Sequence, residues 1–172
     1  YNIIVQHLVY LPNYQYNVLV GIILSDGCIT KQHKNGQARF FIKQSLANVE
    51  YLLYTFFTFS HYCSKYPYFT QTTLGNNKIY PGVAYSTRSL HCFSEVYSIF
   101  YKNKIKCVPV NIYSILTIES LSHWICGDGT PVKGGGIILQ TDNFIIADVV
   151  RLISVLIYKF SCKCSLHYQR DN

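Results

Sequence analysis

Methionine is absent from this 172-residue chain, even at its first position, and tryptophan occurs once. A sequence with no initiating methionine reads as a piece of a longer reading frame or as a processed product. Carboxylates are scarce too: eight Asp and Glu stand against fifteen Lys and Arg, within a charged fraction of only 13%. The resulting net charge of +7 points to a polyanionic partner rather than an acidic surface for cationic ones. No apolar run is long enough to span a membrane. Residues 18–24 are too few, and 144–160 is broken by Asp148, Arg151 and Lys159. The opening residues also lack the charged-then-apolar pattern of a signal peptide. Regular cysteine spacing is missing as well. The seven cysteines, at 28, 63, 92, 107, 126, 162 and 164, form an odd, irregular set that argues against a secreted disulfide framework. Cys162, Cys164 and His167 supply half a zinc-ligand set without a second pair, so reduced thiols are the default reading.

What is plentiful is apolar and aromatic. Hydrophobic residues make up 49% of the chain, with 16 Tyr and 10 Phe, which excludes intrinsic disorder and supports a sizeable core in one domain or two small ones sharing it. Tyr, Phe, Ile, Asn and Lys are all read from A/T-rich codons, which hints at an organellar genome.

Two short segments match. Leu19-Val20-Gly21-Ile22-Ile23-Leu24-Ser25-Asp26-Gly27 and Leu121-Ser122-His123-Trp124-Ile125-Cys126-Gly127-Asp128-Gly129 share Leu first, Ile fifth, Asp eighth and Gly ninth. Each closes an apolar helical pattern with an acid. A helix C-terminus carries partial negative charge, so a carboxylate there is disfavoured unless a cation binds it. Two such acids, brought together by helix pairing, suit a hard ion such as Mg²⁺. Gly21 and Ser25 lie four residues apart on one face, which lets helix backbones approach closely. In the second copy Ser122 and Cys126, or Gly127, take that part, since His123 occupies the Gly21 position.

Around these segments the pattern predicts helix 13–25, capped by Asn13 and ended by Gly27, then strands 28–34 and 37–44 joined through Asn35-Gly36. Apolar spacing predicts a helix over 48–59, with Val49, Leu52, Leu53, Phe56 and Phe57 on its apolar positions. Strands follow at 66–73 and 78–88 around Gly75-Asn76-Asn77, then a helix at 90–101. A basic connector, 102–111, closes at Pro109. The order then restarts: helix 117–127 with Thr117 as cap, a hairpin of 130–133 and 136–141, helix 144–158 and a strand at 161–168. The reading is an α+β fold of tandem αββαββα units, 1–108 and 109–172, the second incomplete at its C-terminal end.

The surrounding residues make the pattern specific: Lys104-Ile105-Lys106-Cys107-Val108-Pro109, Leu116-Thr117, Leu121-Ser122-His123-Trp124, and Ile138-Leu139-Gln140-Thr141 with Phe144. In this order they resemble the single-chain, two-motif LAGLIDADG homing endonucleases, often encoded within organellar introns. The resemblance implies two curved antiparallel sheets forming a saddle on double-stranded DNA, and metal-dependent hydrolysis of both strands by a monomer. Asp26 and Asp128 map to the metal-binding acids, Lys106 to an active-site lysine, and Gln44 to a polar residue near the cut, with Asp142 as its counterpart. The base-reading face would carry Thr30, Gln32, Lys34, Gln37, Arg39, Lys43, Thr70, Thr72, Tyr85 and Arg88. Gln and Arg suit adenine and guanine edges, and Lys and Thr suit phosphates. The alternatives are an RNA-binding maturase acting on its own intron and a catalytically inactive DNA-binding remnant. The expected compartment is the mitochondrion, with the chloroplast as alternative.

Overall fold

The computed structural model describes residues 3–33, 35–73 and 78–167. After a 3₁₀ turn at Ile3–His7, helix α1 (Asn13–Leu24) leads into strands β1 (Cys28–Lys31) and β2 (Ala38–Ser45), helix α2 (Val49–Phe59), strands β3 (Tyr68–Thr73) and β4 (Ile79–Ser86), and helix α3 (His91–Phe100). A short hairpin, β5 (Tyr101–Lys102) and β6 (Ile105–Lys106), precedes α4 (Ile112–Ile115) and α5 (Ile118–Asp128). Strands β7 (Gly129–Pro131) and β8 (Ile137–Leu139) and helix α6 (Ile146–Phe160) follow. The fold is α+β, and every strand pairing is antiparallel.

The main sheet has the order β1-β2-β4-β3. Along β2, Ala38, Phe40, Ile42 and Gln44 are buried while Arg39, Phe41 and Lys43 are half-exposed, the two-residue alternation the sequence shows. The buried face meets α2 and α3 in an aromatic core, where Phe40 lies 5.4 Å from Phe59 and 5.9 Å from Tyr85, ring to ring. Helix α1 is buried on all sides from Val18 to Leu24, as a helix apolar all round must be.

Several boundaries differ from the sequence reading. Asn13 is the first helical residue rather than the cap, because Pro12 takes the extended capping position and its carbonyl accepts from Tyr16 N at 2.9 Å. Thr117 does cap α5, its hydroxyl accepting from Ser120 N at 3.3 Å. The β1–β2 ladder stops at Lys31↔Ala38, so Gln32 and Gln37 lie in the connection, and Lys34 lies outside the described residues, as does the Gly75-Asn76-Asn77 turn. On α2 the buried positions are Leu52, Thr55, Phe56 and Phe59, whereas Leu53 and Phe57 are exposed. The connector is not plain chain. Asn103 and Lys104 adopt left-handed backbone (φ 50° and 67°), the geometry of a two-residue hairpin turn matched to strand twist. Described residues beyond α6 form no strand. Ser161 turns left-handed (φ 56°) and closes the helix, its N–H donating to the Ile157 carbonyl and that of Cys162 to the Leu156 carbonyl.

Candidate metal and nucleic-acid site

The two matched segments meet because α1 and α5 pack side by side, and small residues set how closely. A Cβ placed on Gly21 would lie 2.6 Å from His123 Cβ and closer still to the Ser120 carbonyl oxygen. A Cβ on Gly127 would lie 2.5 Å from that of Ser25. Each helix therefore offers a small residue where the other presents a larger one. Gly127 fills the part foreseen for the second copy, while Ser122 and Cys126 do not: both are exposed, and the Ser122 hydroxyl donates to its own helix at the Ile118 carbonyl, 2.9 Å away. Ser120 reaches across instead, its hydroxyl donating to the Asn17 carbonyl at 2.8 Å.

His123 is held from a third element. Its Nδ1 hydrogen-bonds the Tyr51 hydroxyl at 2.9 Å, and the Tyr54 ring stacks on it at 5.9 Å. Nothing in the spacing of 48–59 singles out Tyr51, since its partner is 72 residues away.

Beyond the packed segment the backbones end differently. Helix α1 stops at Leu24, with Ser25 and Gly27 both donating back to the Ile22 carbonyl (3.3 and 2.8 Å), whereas α5 runs on to Asp128. Asp26 is exposed and Asp128 half-buried. Gln44, on the buried face of β2 and 6% exposed, donates from Nε2 to Asp26 Oδ2 at 2.6 Å, and its Oε1 accepts from Asn48 at 3.2 Å. Lys106 arrives from β6, and its ammonium donates to the carbonyls of Ser25 and Gly27, each at 3.0 Å. It thereby occupies the negative end of α1. The left-handed Asn103-Lys104 turn and the Tyr101↔Lys106 pairing position it, and the Tyr101 hydroxyl anchors that hairpin by accepting from Ile29 N at 3.0 Å.

The electrostatics identify the tension in the site. Burial and the nearby Asp26 charge push the Asp128 carboxyl up to about 6, with Asp142 adding to the rise and Lys106 opposing it. Burial draws Lys106 below its ordinary value, while Cys28, Asp128 and Asp26 pull it back up. A divalent cation bound between two such carboxylates would offset the charge repulsion felt at Asp128. Among the described residues no group of three or more His, Cys, Asp and Glu could hold a metal, so a centre on Asp26 and Asp128 would need backbone oxygens and water to complete it. A pH consequence follows. Asp128 binds its proton more tightly folded than unfolded, so between pH 4 and 6 its contribution to stability falls as pH rises. Divalent metal is expected to raise the melting temperature clearly at pH 7.5 and little at pH 5; equal shifts at both would contradict the coupled acid pair.

The open face of the main sheet carries Thr30, Arg39, Lys43, Thr70 and Thr72. Thr30 pairs with Arg39, Lys43 with Ala84, and Thr70 with Gly82. Lys43 reaches over to the Thr72 hydroxyl, passing near Gly82, where a Cβ would lie 3.4 Å from Lys43 Cε. Besides Gln32 and Gln37 in the β1–β2 connection, two more of the expected readers are elsewhere. Tyr85 pairs with Ile42 on the opposite face and is fully buried, its ring 5.4 Å from that of Phe56. It faces the core because it pairs with Ile42, a placement that the run Gly82-Val83-Ala84-Tyr85, lacking alternation, does not reveal. Arg88 lies past β4 and donates to the carbonyls of Tyr62 (3.3 Å) and His61 (2.8 Å), bracing the 3₁₀ turn Ser60–Tyr62.

Known proteins share this fold. The fold matches the homing endonuclease I-WcaI bound to its DNA recognition sequence, with a TM-score of 0.88 over 96% of this chain and 76% of that one, at 21% identity. In sequence the chain is 29% identical over 153 residues to the cytochrome b mRNA maturase bI2 of Debaryomyces hansenii, covering 87% of this chain. It is 30% identical over 120 residues to the intron-encoded endonuclease ai4 of Dictyostelium discoideum, covering 67% of this chain and 75% of that protein. The chain spans 58% of the length of the maturase. Residues 16–172 match the LAGLIDADG DNA endonuclease family, and the chain belongs to that family.

Proposed function

We propose that this chain is a sequence-specific, metal-dependent endonuclease of double-stranded DNA that works as a monomer, built from two units, 1–108 and 109–172. The observation that carries the reading is the convergence of Asp26 and Asp128 at one end of the paired helices, where burial and the Asp26 charge together raise the cost of charging Asp128. Mg²⁺ held there would polarise a phosphodiester and lower the pKa of water. The chain's own groups do the rest. Gln44 orients the Asp26 carboxylate. Lys106 presents a cation beside both acids and stabilises charge gathering on the phosphate. Thr30, Arg39, Lys43, Thr70 and Thr72 hold the duplex on the open sheet face, with Gln32 and Gln37 reaching out from the β1–β2 connection. Because both acids lie in one chain, no second copy is needed. The A/T-codon bias and a relative that matures cytochrome b mRNA support the mitochondrion as the compartment, with the chloroplast as alternative.

The test is cleavage of a plasmid library carrying randomised inserts, in Mg²⁺, with sequencing of linearised products. Enrichment of one long asymmetric site is the expected outcome; no linearisation of any sequence would overturn the nuclease reading. On the enriched site Lys106→Met, which keeps the length of the side chain and removes the charge, is expected to slow cleavage about a hundredfold, with duplex affinity nearly unchanged. Unaltered turnover would remove Lys106 from the chemistry. A second reading, binding of the chain's own intron RNA, is favoured by the likeness to the maturase.

A further inference from the structure

We infer that the outer, helix-covered side of the first sheet carries a docking surface for unpaired RNA bases, an inference that rests on the RNA-binding reading and not on the nuclease one. Three aromatic rings there are turned to solvent: Phe57 is 69% exposed, Tyr66 84% and Phe69 82%. Phe57 and Tyr66 both root on the buried Phe56, with ring separations of 5.7 and 6.2 Å, and Phe56 is in turn locked edge-on against Tyr85. Phe69 pairs with Val83, which shares with Tyr85 the face that α2 covers. The three rings thus stand on one side of the sheet, and Arg39, Lys43 and Thr72 stand on the other. Exposed aromatics grouped in this way mark an interaction surface.

Charge and ring type select the occupant. Between Glu50 and Glu95 the sequence contains no Asp or Glu, while Lys65, Lys78 and Arg88 fall within it. Lys65, beside Tyr66, is exposed. A long acid-free stretch on a chain of net charge +7 complements a polyanion. Flat rings held from beneath by a buried aromatic offer stacking faces to splayed bases. Duplex bases, already stacked on each other, cannot use them. The surface therefore fits single-stranded loops of RNA, and lying behind the sheet it leaves the duplex-facing side open.

The experiment measures fluorescence anisotropy of a short labelled oligouridylate, and separately of a DNA duplex of equal length, with the full chain and two variants. Tyr66→Ala combined with Phe69→Ala is expected to weaken oligouridylate binding by about tenfold or more and to leave duplex affinity within about twofold, with an unchanged melting temperature. Arg39→Ala is expected to do the reverse, and excess duplex should not displace the oligouridylate. Unchanged RNA affinity in the double variant, parallel loss on both ligands, or displacement by duplex would each overturn the surface. So would a shift from dimer to monomer on sedimentation, which would make the patch a contact between copies of the chain. Cleavage enters none of these readouts, so the nuclease reading stands or falls separately.

Discussion

Asp26→Asn and Asp128→Asn are each expected to reduce strand cleavage about a thousandfold while the chain still binds its site. Asn preserves size and one oxygen but removes the charge and the second hard donor. Losing one of two anionic ligands removes several kcal/mol of transition-state stabilisation, and each 1.36 kcal/mol is about tenfold in rate. Binding should persist because the proposed duplex contacts are on the open sheet face rather than at the acids, and removing a carboxylate beside phosphates relieves repulsion. The two variants differ in a way that tests the electrostatics. Asp26→Asn takes away the charge that, after burial, does most to hold Asp128 up at about 6, so Asp128 should titrate closer to the ordinary carboxylate range. Asp128→Asn takes away the strained group itself, and the metal-free protein at pH 7.5 should melt no lower than the parent. Cleavage within tenfold of the parent in either variant would dismiss the two-acid mechanism.

The second large effect is structural. Gly21→Ala is expected to destabilise the chain by about 2 kcal/mol, since the cost of overpacking exceeds the roughly 1 kcal/mol that Ala gains over Gly in a helix. The added methyl would meet the Ser120 carbonyl and His123 Cβ, both fixed to the backbone of α5, so the helices must part. For a chain of this length that corresponds to a fall of about 5 °C in melting temperature, and Gly21→Leu should fall much further. Gly127→Ala is the control. Its methyl would meet only the Ser25 side chain, so Ser25→Gly should restore part of the loss. His123→Gly should not rescue Gly21→Ala, because the Ser120 carbonyl remains. Parting the helices also separates Asp26 from Asp128, so cleavage should fall faster than stability does. A Gly21→Ala protein that melts with the parent would show that the helices do not pack this closely.

Much of the fold was legible because apolar residues recur with the period of the element they form. The helices over 13–25, 48–59, 90–101, 117–127 and 144–158 all correspond to helices within a few residues. The strand alternation Ala38, Phe40, Ile42 was readable for the same reason. Legibility failed where local sequence carries no contrast. In 78–88 both faces are apolar, so the inward position of Tyr85 is decided by its pairing with Ile42. Lys104 gives no hint that it turns left-handed, and that turn is what carries Lys106 to the carbonyls of Ser25 and Gly27.

By itself, then, the sequence determined the five longer helices and the strands between them, their order, the basic balance and the two acids at matching helix positions, because periodicity and composition act residue by residue along the chain. Only the tertiary structure decided which small residue opposes which large one across α1 and α5, that Gln44 holds Asp26, that Tyr51 secures His123, and that Asp128 is pushed up by burial and by its neighbour. Those are distances between residues far apart in the chain, and packing in three dimensions, not pattern in one, sets them.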